Sequence, residues 1–313
     1  MKNLGCAMDD AECMRAKSTE ALQAALPVSS GTEITLAYGR GFAVVIDGNV
    51  VREDPAQIGV RVPAILGSTS ADGSLFVLAG YADDFPPTQD NYTTFVESNF
   101  GALAPTVKAA YPISKFANIS GPALAPYFAM TAIWTHSSYT CSAYRGLVKA
   151  AQKGIPSFAY LWDTAPTCPW SAQFGNSSNN TEILKLLGAT HASEIPYVFR
   201  NTNKLPMPSG TCSLTAGERG ISNAIASAWT AMAEKQNPNS GQVPMTWPTF
   251  DTNKTEGFFS SNVDGVVIDE IDYSFCTLWD KVNEALLANN TGSITNHSSG
   301  PSPTYLESSG AKR

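Results

Sequence analysis

The chain has 313 residues, of which only 15% are charged, and its formal net charge is −7. That length allows one large domain or two average ones with a substantial core. An acidic chain without a basic cluster is poorly suited to nucleic acid or an anionic membrane, because phosphate contacts need Lys and Arg. No apolar run approaches the ~20 residues that span a bilayer.

The first half of the chain predicts alternating helices and strands. A short helix is predicted in "STEALQAAL", and "FAVVIDGNVV" predicts a hairpin with its tight turn at Asp47 and Gly48. The stretch "VPAILGSTSADG" predicts a short buried strand that ends in a turn. Helical patterns follow over about 89–110 and 122–152.

The second half continues this alternation. "IPSFAYLW" predicts a central strand, and "LTAGERGISNAIASAWTAMAEKQ" predicts a helix that stops before "NPNSG". "VDGVVIDEID" predicts a strand and "YSFCTLWDKVNEALLA" a closing amphipathic helix. The order indicates an α/β fold class, with one domain over 1–288. The Ser-, Gly- and Pro-rich residues 289–313 predict a disordered tail.

Cysteines and glycosylation sequons both point to an oxidising compartment. The six cysteines are even in number and none forms a C-x-x-C pair, which favours disulfides over zinc and leaves 15 possible connectivities. Seven Asn-x-Ser/Thr sequons are candidate glycosylation sites in a secreted chain: Asn91, Asn118, Asn176, Asn179, Asn253, Asn289 and Asn296. The opening "MKNLGCAMDDAEC" has no apolar segment, so we expect a signal peptide in a missing N-terminal part.

The three histidines are the first candidates for proton transfer, because imidazole titrates near neutral pH. A lone histidine is by default a surface or packing residue. We expect His136, which follows a helical pattern, to be structural, and His297, in the polar tail, to be solvated. His191 lies in "GATHASEIPYVF". Asp72, followed by glycine, is by itself a turn residue.

Six blocks together resemble a known family. They are "CMRAKSTEALQAA", "VIDGNVVREDPA", "VPAILGSTSADGSLF", "GATHASEIPYVF", "AWTAMAEKQNPN" and "FCTLWDKV". In this order, from about Leu4 to Leu287, they resemble the C-terminal half of type B carboxylesterases, the family of cholinesterases, fungal lipases and related fungal secreted esterases. The most specific block is the one around His191. The resemblance implies the C-terminal portion of an α/β-hydrolase fold, a mostly parallel central sheet flanked by helices.

The resemblance also implies site residues. Family members use a Ser–His–Glu/Asp triad, in which His191 would be the general base and Asp72 the acid that orients it, where the family more often has Glu. Asp72 follows a predicted strand, and catalytic groups of open α/β sheets collect at the carboxyl ends of strands. Glu194 is expected to support the turn after His191, and is the first alternative acid if Asp72 lies too far away.

The nucleophile of this family is not found in the chain. The α/β-hydrolase serine lies in G-x-S-x-G, a strained turn between a strand and a helix. No two glycines here are four residues apart, and no Gly-rich oxyanion segment occurs. We therefore expect the serine, the oxyanion hole and several strands to lie in a missing N-terminal part.

Three hypotheses follow for the function. The first is a fragment of a secreted serine carboxylesterase that acts on a small-molecule or lipid ester. The second is a non-catalytic extracellular binding module, as in neuroligins, but such a module has no need of His191 and Asp72. The third, an independently folding remnant, is least favoured, because a half-sheet exposes an apolar edge. No metal or organic cofactor is expected.

The resemblance further implies the disulfide pattern. Cys6 would pair with Cys13, as in relatives, and Cys141 with Cys276, as in the cholinesterase bridge to the last helix. Cys168 and Cys212 then remain to pair on either side of the His191 segment. The aromatic residues Phe76, Tyr127 and Trp134 fit either a core or a substrate pocket.

Overall fold

The structure is a computed structural model that describes residues 2–7, 10–25, 32–34, 48–52, 58–174, 181–239 and 245–294. Its strands are Ala64–Thr69 (β1), Ser157–Asp163 (β2), Glu256–Ser261 (β3) and Gly265–Glu270 (β4). Its α-helices are Ala11–Arg15 (α1), Thr19–Ala24 (α2), Ser74–Gly80 (α3), Gln89–Phe100 (α4), Ala104–Ala110 (α5), Ile113–Ser120 (α6), Ala125–Trp134 (α7), Cys141–Gln152 (α8), Thr181–Leu187 (α9), Ile195–Val198 (α10), Ala216–Lys235 (α11) and Cys276–Ile294 (α12).

The four strands form one mixed sheet in the order β1-β2-β3-β4. β1, β2 and β3 run parallel, so their carboxyl ends meet at one edge. β4 returns antiparallel to β3 through a tight connection. A parallel-dominated sheet with flanking helices is the architecture expected for the C-terminal portion of an α/β-hydrolase fold, and it confirms the α/β fold class.

Two hydrophobic cores cover the two faces of the sheet. Side chains alternate along β2 because strands have a period of two. Phe158 and Trp162 face one core, together with Ile225 of α11. Ala159 faces the other core, which includes residues of α4, α7 and α12 such as Trp134. The "IPSFAYLW" segment is thus an interior strand between β1 and β3, as its apolar composition predicted.

Several elements differ from the sequence-based expectations. The predicted helix at 89–110 is divided at Gly101, whose φ is +52°. The one at 122–152 is interrupted by a π-helical segment, Thr135–Thr140, called here the π-turn. β1 is half-buried over Ala64–Gly67 rather than fully buried, because among the described residues it is hydrogen-bonded on one side only.

Other differences concern elements without a periodic signal. β3 was not predicted: "EGFFSS" is short, and Gly257 is needed because a Cβ there would lie 2.5 Å from the carbonyl oxygen of Ala159 on β2. α12 continues to Ile294, past the boundary expected at Asn289. The hairpin predicted around Asp47, the end of the chain from residue 295 on and His297 lie outside the described residues.

Candidate active site

The turn that carries Asp72 lies at the carboxyl end of β1. Asp72 is 4% exposed, and its Oδ2 accepts a 2.8 Å hydrogen bond from the backbone N–H of Thr69, the last residue of the strand. The next residue must be glycine, because a Cβ on Gly73 would lie 2.6 Å from the Thr131 carbonyl oxygen and from Cβ of Trp134. The carboxylate is thus fixed both by its own turn and by the helix packed behind it.

The loop that carries His191 is bonded directly to this turn. Thr190 pairs with Ala71 in an isolated parallel bridge. The Ser74 hydroxyl lies 2.6 Å from Thr190 Oγ1 and donates a 2.7 Å hydrogen bond to the Leu187 carbonyl. These contacts involve residues close to Asp72 or His191, so the two segments form one unit although they are far apart in sequence.

Asp72 and His191 are in direct contact. His191 Nδ1 lies 2.8 Å from Asp72 Oδ1, across 119 residues of chain. A carboxylate only accepts hydrogen bonds, so Nδ1 carries the proton and Nε2 is the basic nitrogen. Nε2 makes no hydrogen bond to any described residue, and the imidazole side chain is 42% exposed while that of Asp72 is 5% exposed. The pair therefore presents a basic nitrogen to an open side, held from behind by a buried carboxylate.

The electrostatics of the pair favour proton uptake by His191. The hydrogen bond to Asp72 raises the pKa of His191 above its ordinary value, and partial burial opposes this. The negative charges of Asp72 and Glu194 add to the increase. A raised pKa means that the imidazolium form of His191 is stabilised relative to a free histidine in water.

Two aromatic rings line the imidazole. The ring centroids of Phe76 and Tyr139 lie 5.2 and 5.1 Å from that of His191. The two aromatic rings are nearly parallel to each other, and Phe76 stacks in turn on Trp134 at 5.2 Å. Phe76 is therefore a site residue as well as a packing residue, whereas Tyr127 is a fully buried core side chain.

The backbone next to His191 is strained. Ala192 has a φ of +65°, a left-handed conformation that costs a residue with a Cβ about 1 kcal/mol or more. Such outliers persist only where the surroundings enforce them, and they are common at functional sites. Here the conformation turns the chain immediately after the imidazole.

Glu194 makes no hydrogen bond or ion pair with His191, so Asp72 is the carboxylate that holds the imidazole. Its backbone carbonyl accepts hydrogen bonds from Tyr197 and Val198 at 2.9 and 3.0 Å and so begins helix α10 after the turn. Its side chain is mostly buried, Oε2 has no hydrogen-bond partner among the described residues, and burial raises the pKa of this carboxyl. The main chain of Glu194 thus supports the turn, as expected.

A buried carboxylate behind the loop was not predicted. Glu218 of α11 accepts hydrogen bonds from the N–H and hydroxyl of Thr167 at 2.8 and 2.6 Å and from the hydroxyl of Tyr197 at 2.8 Å. It also closes a capping box with Thr215. The T-x-x-E pattern that begins α11 signals the capping box, but its link to Tyr197 depends on tertiary contacts.

The structure contains the three disulfides that the resemblance implied. Cα–Cα separations are 5.8 Å for Cys6–Cys13, 5.2 Å for Cys141–Cys276 and 5.7 Å for Cys168–Cys212, within the range that a disulfide requires. The last of these joins the segment after β2 to the segment before α11, on either side of the His191 loop.

The remaining predicted residues make no described hydrogen bond or ring contact with Asp72 or His191. His136 is partly buried, stacked on Phe275 at 3.7 Å, which fits the expected structural role. Asn118 and Asn253 are exposed, and Asn91 is in the capping box of α4. The side chains of the other four sequons, Asn176, Asn179, Asn289 and Asn296, are outside the part described.

Neither a metal centre nor a membrane span is found in the described part of the chain. Within those ranges, no three or more His, Cys, Asp or Glu side chains come together as they would around a metal ion. In the same ranges, no helix combines the length and the apolar character of a membrane span.

Known proteins are similar to this chain in sequence. The model of the carboxylesterase family matches residues 1–279. Bile salt-activated lipase of Bos taurus is 26% identical over 279 residues, 80% of this chain and 42% of that protein, and the Homo sapiens lipase is 24% identical over 81% and 34%. The "Crystal protein" of Dictyostelium discoideum is 27% identical over 80% and 44%. The chain thus spans less than half the length of these relatives.

The family match covers both residues of the Asp72–His191 pair and the sheet edge from which the pair projects. The chain belongs to the carboxylesterase family.

Proposed function

We propose that this chain contributes the general base and the orienting acid of a serine carboxylic ester hydrolase. The proposal rests on the 2.8 Å contact between the buried Asp72 carboxylate and Nδ1 of His191. The other ring nitrogen, Nε2, makes no hydrogen bond to a described residue. His191 Nε2 removes the proton of a serine hydroxyl as it attacks the ester carbonyl. Asp72 fixes the tautomer and stabilises the imidazolium, and losing that acid costs about 10⁴ in rate in serine proteases.

The serine itself is proposed to come from polypeptide outside these 313 residues. The full sequence contains no G-x-S-x-G and no Gly-rich oxyanion segment. Base and acid alone do not stabilise the oxyanion of the tetrahedral intermediate, which is usually the largest contribution to the rate. The chain by itself is therefore proposed to be inactive, and to become active only together with the part that carries the serine.

The proposed substrate is a small-molecule or lipid ester. The described neighbours of the imidazole include no basic cluster that would select a charged group, and the rings of Phe76 and Tyr139 offer an apolar surface. The names of the lipase relatives agree with an apolar acyl group. A purely adhesive role is less favoured, since a binding module gains nothing from an imidazole held by a buried carboxylate.

Secretion is proposed on the basis of the disulfides. Disulfides form and persist in an oxidising compartment, and the chain has three. The exposed sequons at Asn118 and Asn253 fit a glycoprotein.

The activity proposal is tested in two steps. First, the purified chain should hydrolyse p-nitrophenyl butyrate no faster than buffer. Turnover that His191→Ala abolishes would contradict the absence of a nucleophile and assign that role to a serine of this chain.

The second step restores the serine. The gene upstream of this chain is read for an in-frame G-x-S-x-G segment, and the encoded polypeptide is produced with the chain. Hydrolysis should appear, and His191→Ala should reduce it on the order of 10⁴-fold or more. His297→Ala, a change of another histidine, is the matched control and should leave activity intact. Equal activity in the His191→Ala and unchanged proteins would refute the assignment of His191.

A further inference from the structure

The π-turn separates α7 from α8 directly beside the Asp72–His191 pair. π-Helical turns are rare, and they are frequently found at functional sites. This one covers Thr135–Thr140, six residues, of which Thr135, Ser137 and Thr140 are buried. Nothing in its sequence, "THSSYT", requires a π-helix, so the reason for it lies in its contacts.

One side of the π-turn is anchored to the rest of the protein. His136 stacks on Phe275 with 3.7 Å between ring centroids, and its Nδ1 lies 2.8 Å from the Tyr111 hydroxyl. The residue that follows the π-turn, Cys141, is disulfide-bonded to Cys276 at the start of α12. These contacts hold the π-turn in place from the side away from the active site.

The other side of the π-turn is hydrogen-bonded to the turn that carries Asp72. Thr135 Oγ1 accepts a 2.9 Å hydrogen bond from the backbone N–H of Gly73, the residue next to Asp72. The Thr140 hydroxyl lies 2.8 Å from the Ser68 hydroxyl on β1, and both groups are buried. Gly73 of the turn and Ser68 of the strand before it are therefore hydrogen-bonded to opposite ends of the π-turn.

Between these two ends, the π-turn reaches the base. The ring of Tyr139 lies 5.1 Å from the imidazole of His191 and is nearly parallel to Phe76. Tyr139 is also close enough to the acid to interact with its charge. Burial and the negative charge of Asp72 both raise the pKa of Tyr139. The π-turn thus contacts the turn of Asp72 through the Thr135 hydroxyl and the imidazole of His191 through the Tyr139 ring.

We propose that Thr135 and Tyr139 are positioning residues for the Asp72–His191 pair. Thr135 holds the backbone of the acid turn, Tyr139 limits the rotation of the imidazole, and the π-turn sets the distance between these two contacts. A catalytic pair loses rate when its geometry is loosened, since donor and acceptor must stay within hydrogen-bond reach. The inference rests on the proposed function for its catalytic meaning, but not for its test.

The test measures the pKa of His191 in the full 313-residue chain by proton NMR. The three histidine signals are assigned by their loss in His→Ala variants and followed between about pH 4 and 9. Loosening the contact with Asp72 removes the main influence that raises this pKa. We therefore expect Thr135→Val and Tyr139→Ala to lower it toward the unperturbed value of about 6.5. The conservative changes Thr135→Ser and Tyr139→Phe should keep it high.

Ser137→Ala is the matched control from the same turn. The Ser137 hydroxyl donates to the Trp134 carbonyl, at 3.3 Å, and makes no described hydrogen bond to the turn of Asp72 or to the imidazole of His191. An unchanged His191 pKa in both Thr135→Val and Tyr139→Ala would overturn the proposal, as would an equal fall in Ser137→Ala. If Thr135→Val does not fold, Tyr139→Ala decides the question. Because the readout needs no ester hydrolysis, it stands or fails separately from the proposed function.

Discussion

Acid should destabilise the fold through His136. The side chain is partly buried in the π-turn, and burial, with the charge of Lys115 adding to it, lowers its pKa to about 4 from the ordinary 6.5. The Trp279 indole donates to the Tyr111 oxygen at 2.8 Å, and the Tyr111 hydroxyl lies 2.8 Å from Nδ1 of His136, to which it can donate while the imidazole is neutral. Protonation of Nδ1 removes that acceptor and leaves a charge in a mostly apolar site.

The magnitude follows from proton linkage. In the unfolded chain the histidine titrates near 6.5, so between about pH 6.5 and 4 the unfolded state binds more protons than the native state. The free energy of unfolding therefore falls as the pH falls through this window. A pKa difference of 1 between the two states corresponds to about 1.36 kcal/mol, so the total is on the order of 3 kcal/mol, of which about 2 kcal/mol is lost by pH 5.

Urea unfolding followed by tryptophan fluorescence at about pH 7 and 5 measures this loss. His191 acts in the opposite direction, because its raised pKa contributes stability that is present at low pH and lost as the pH rises. The control is therefore His136→Gln, whose amide oxygen can still accept from Tyr111. Between the two pH values, the free energy of unfolding of this variant should fall by about 2 kcal/mol less than that of the unchanged protein. Equal losses in the two proteins would refute the reasoning.

Three further predictions concern the active site and its frame. Asp72→Asn should lower the pKa of His191, because the charged partner that raises it is removed; an unchanged NMR titration would contradict the pair. Gly73→Ala should destabilise by about 1–3 kcal/mol in urea, because the new Cβ meets atoms at 2.6 Å; wild-type stability would show that the turn relaxes freely. Replacing Cys168 and Cys212 by serine removes a disulfide that closes a loop of sequence separation 44. In the chain-entropy model the free energy of unfolding, measured in urea, should fall by about 4 kcal/mol. A fall below about 1 kcal/mol would contradict that model.

Local patterns in the sequence determined the elements with a clear period or boundary signal. The apolar run of β2 and the T-x-x-E start of α11 are encoded within a few residues, so they can be read without knowledge of the rest. β3 could not be recognised from the local sequence, because "EGFFSS" is short and its pairing with β2 depends on the absence of a side chain at Gly257. The π-turn was likewise read as continuous helix, because the helical patterns on either side of it leave no local signal for a change in helix type.

The order of family-like blocks pointed to His191 and Asp72 as candidates, but a linear pattern carries no distance between residues 119 positions apart. Only the tertiary structure brings the carboxylate to 2.8 Å from the imidazole, because strand order places β1 beside β2 and the Ala71–Thr190 bridge joins the two loops. Tyr139 carries no motif at all. Its place against His191 arises from the packing of α7 and the π-turn on the sheet, and packing of residues distant in sequence is what local patterns do not encode.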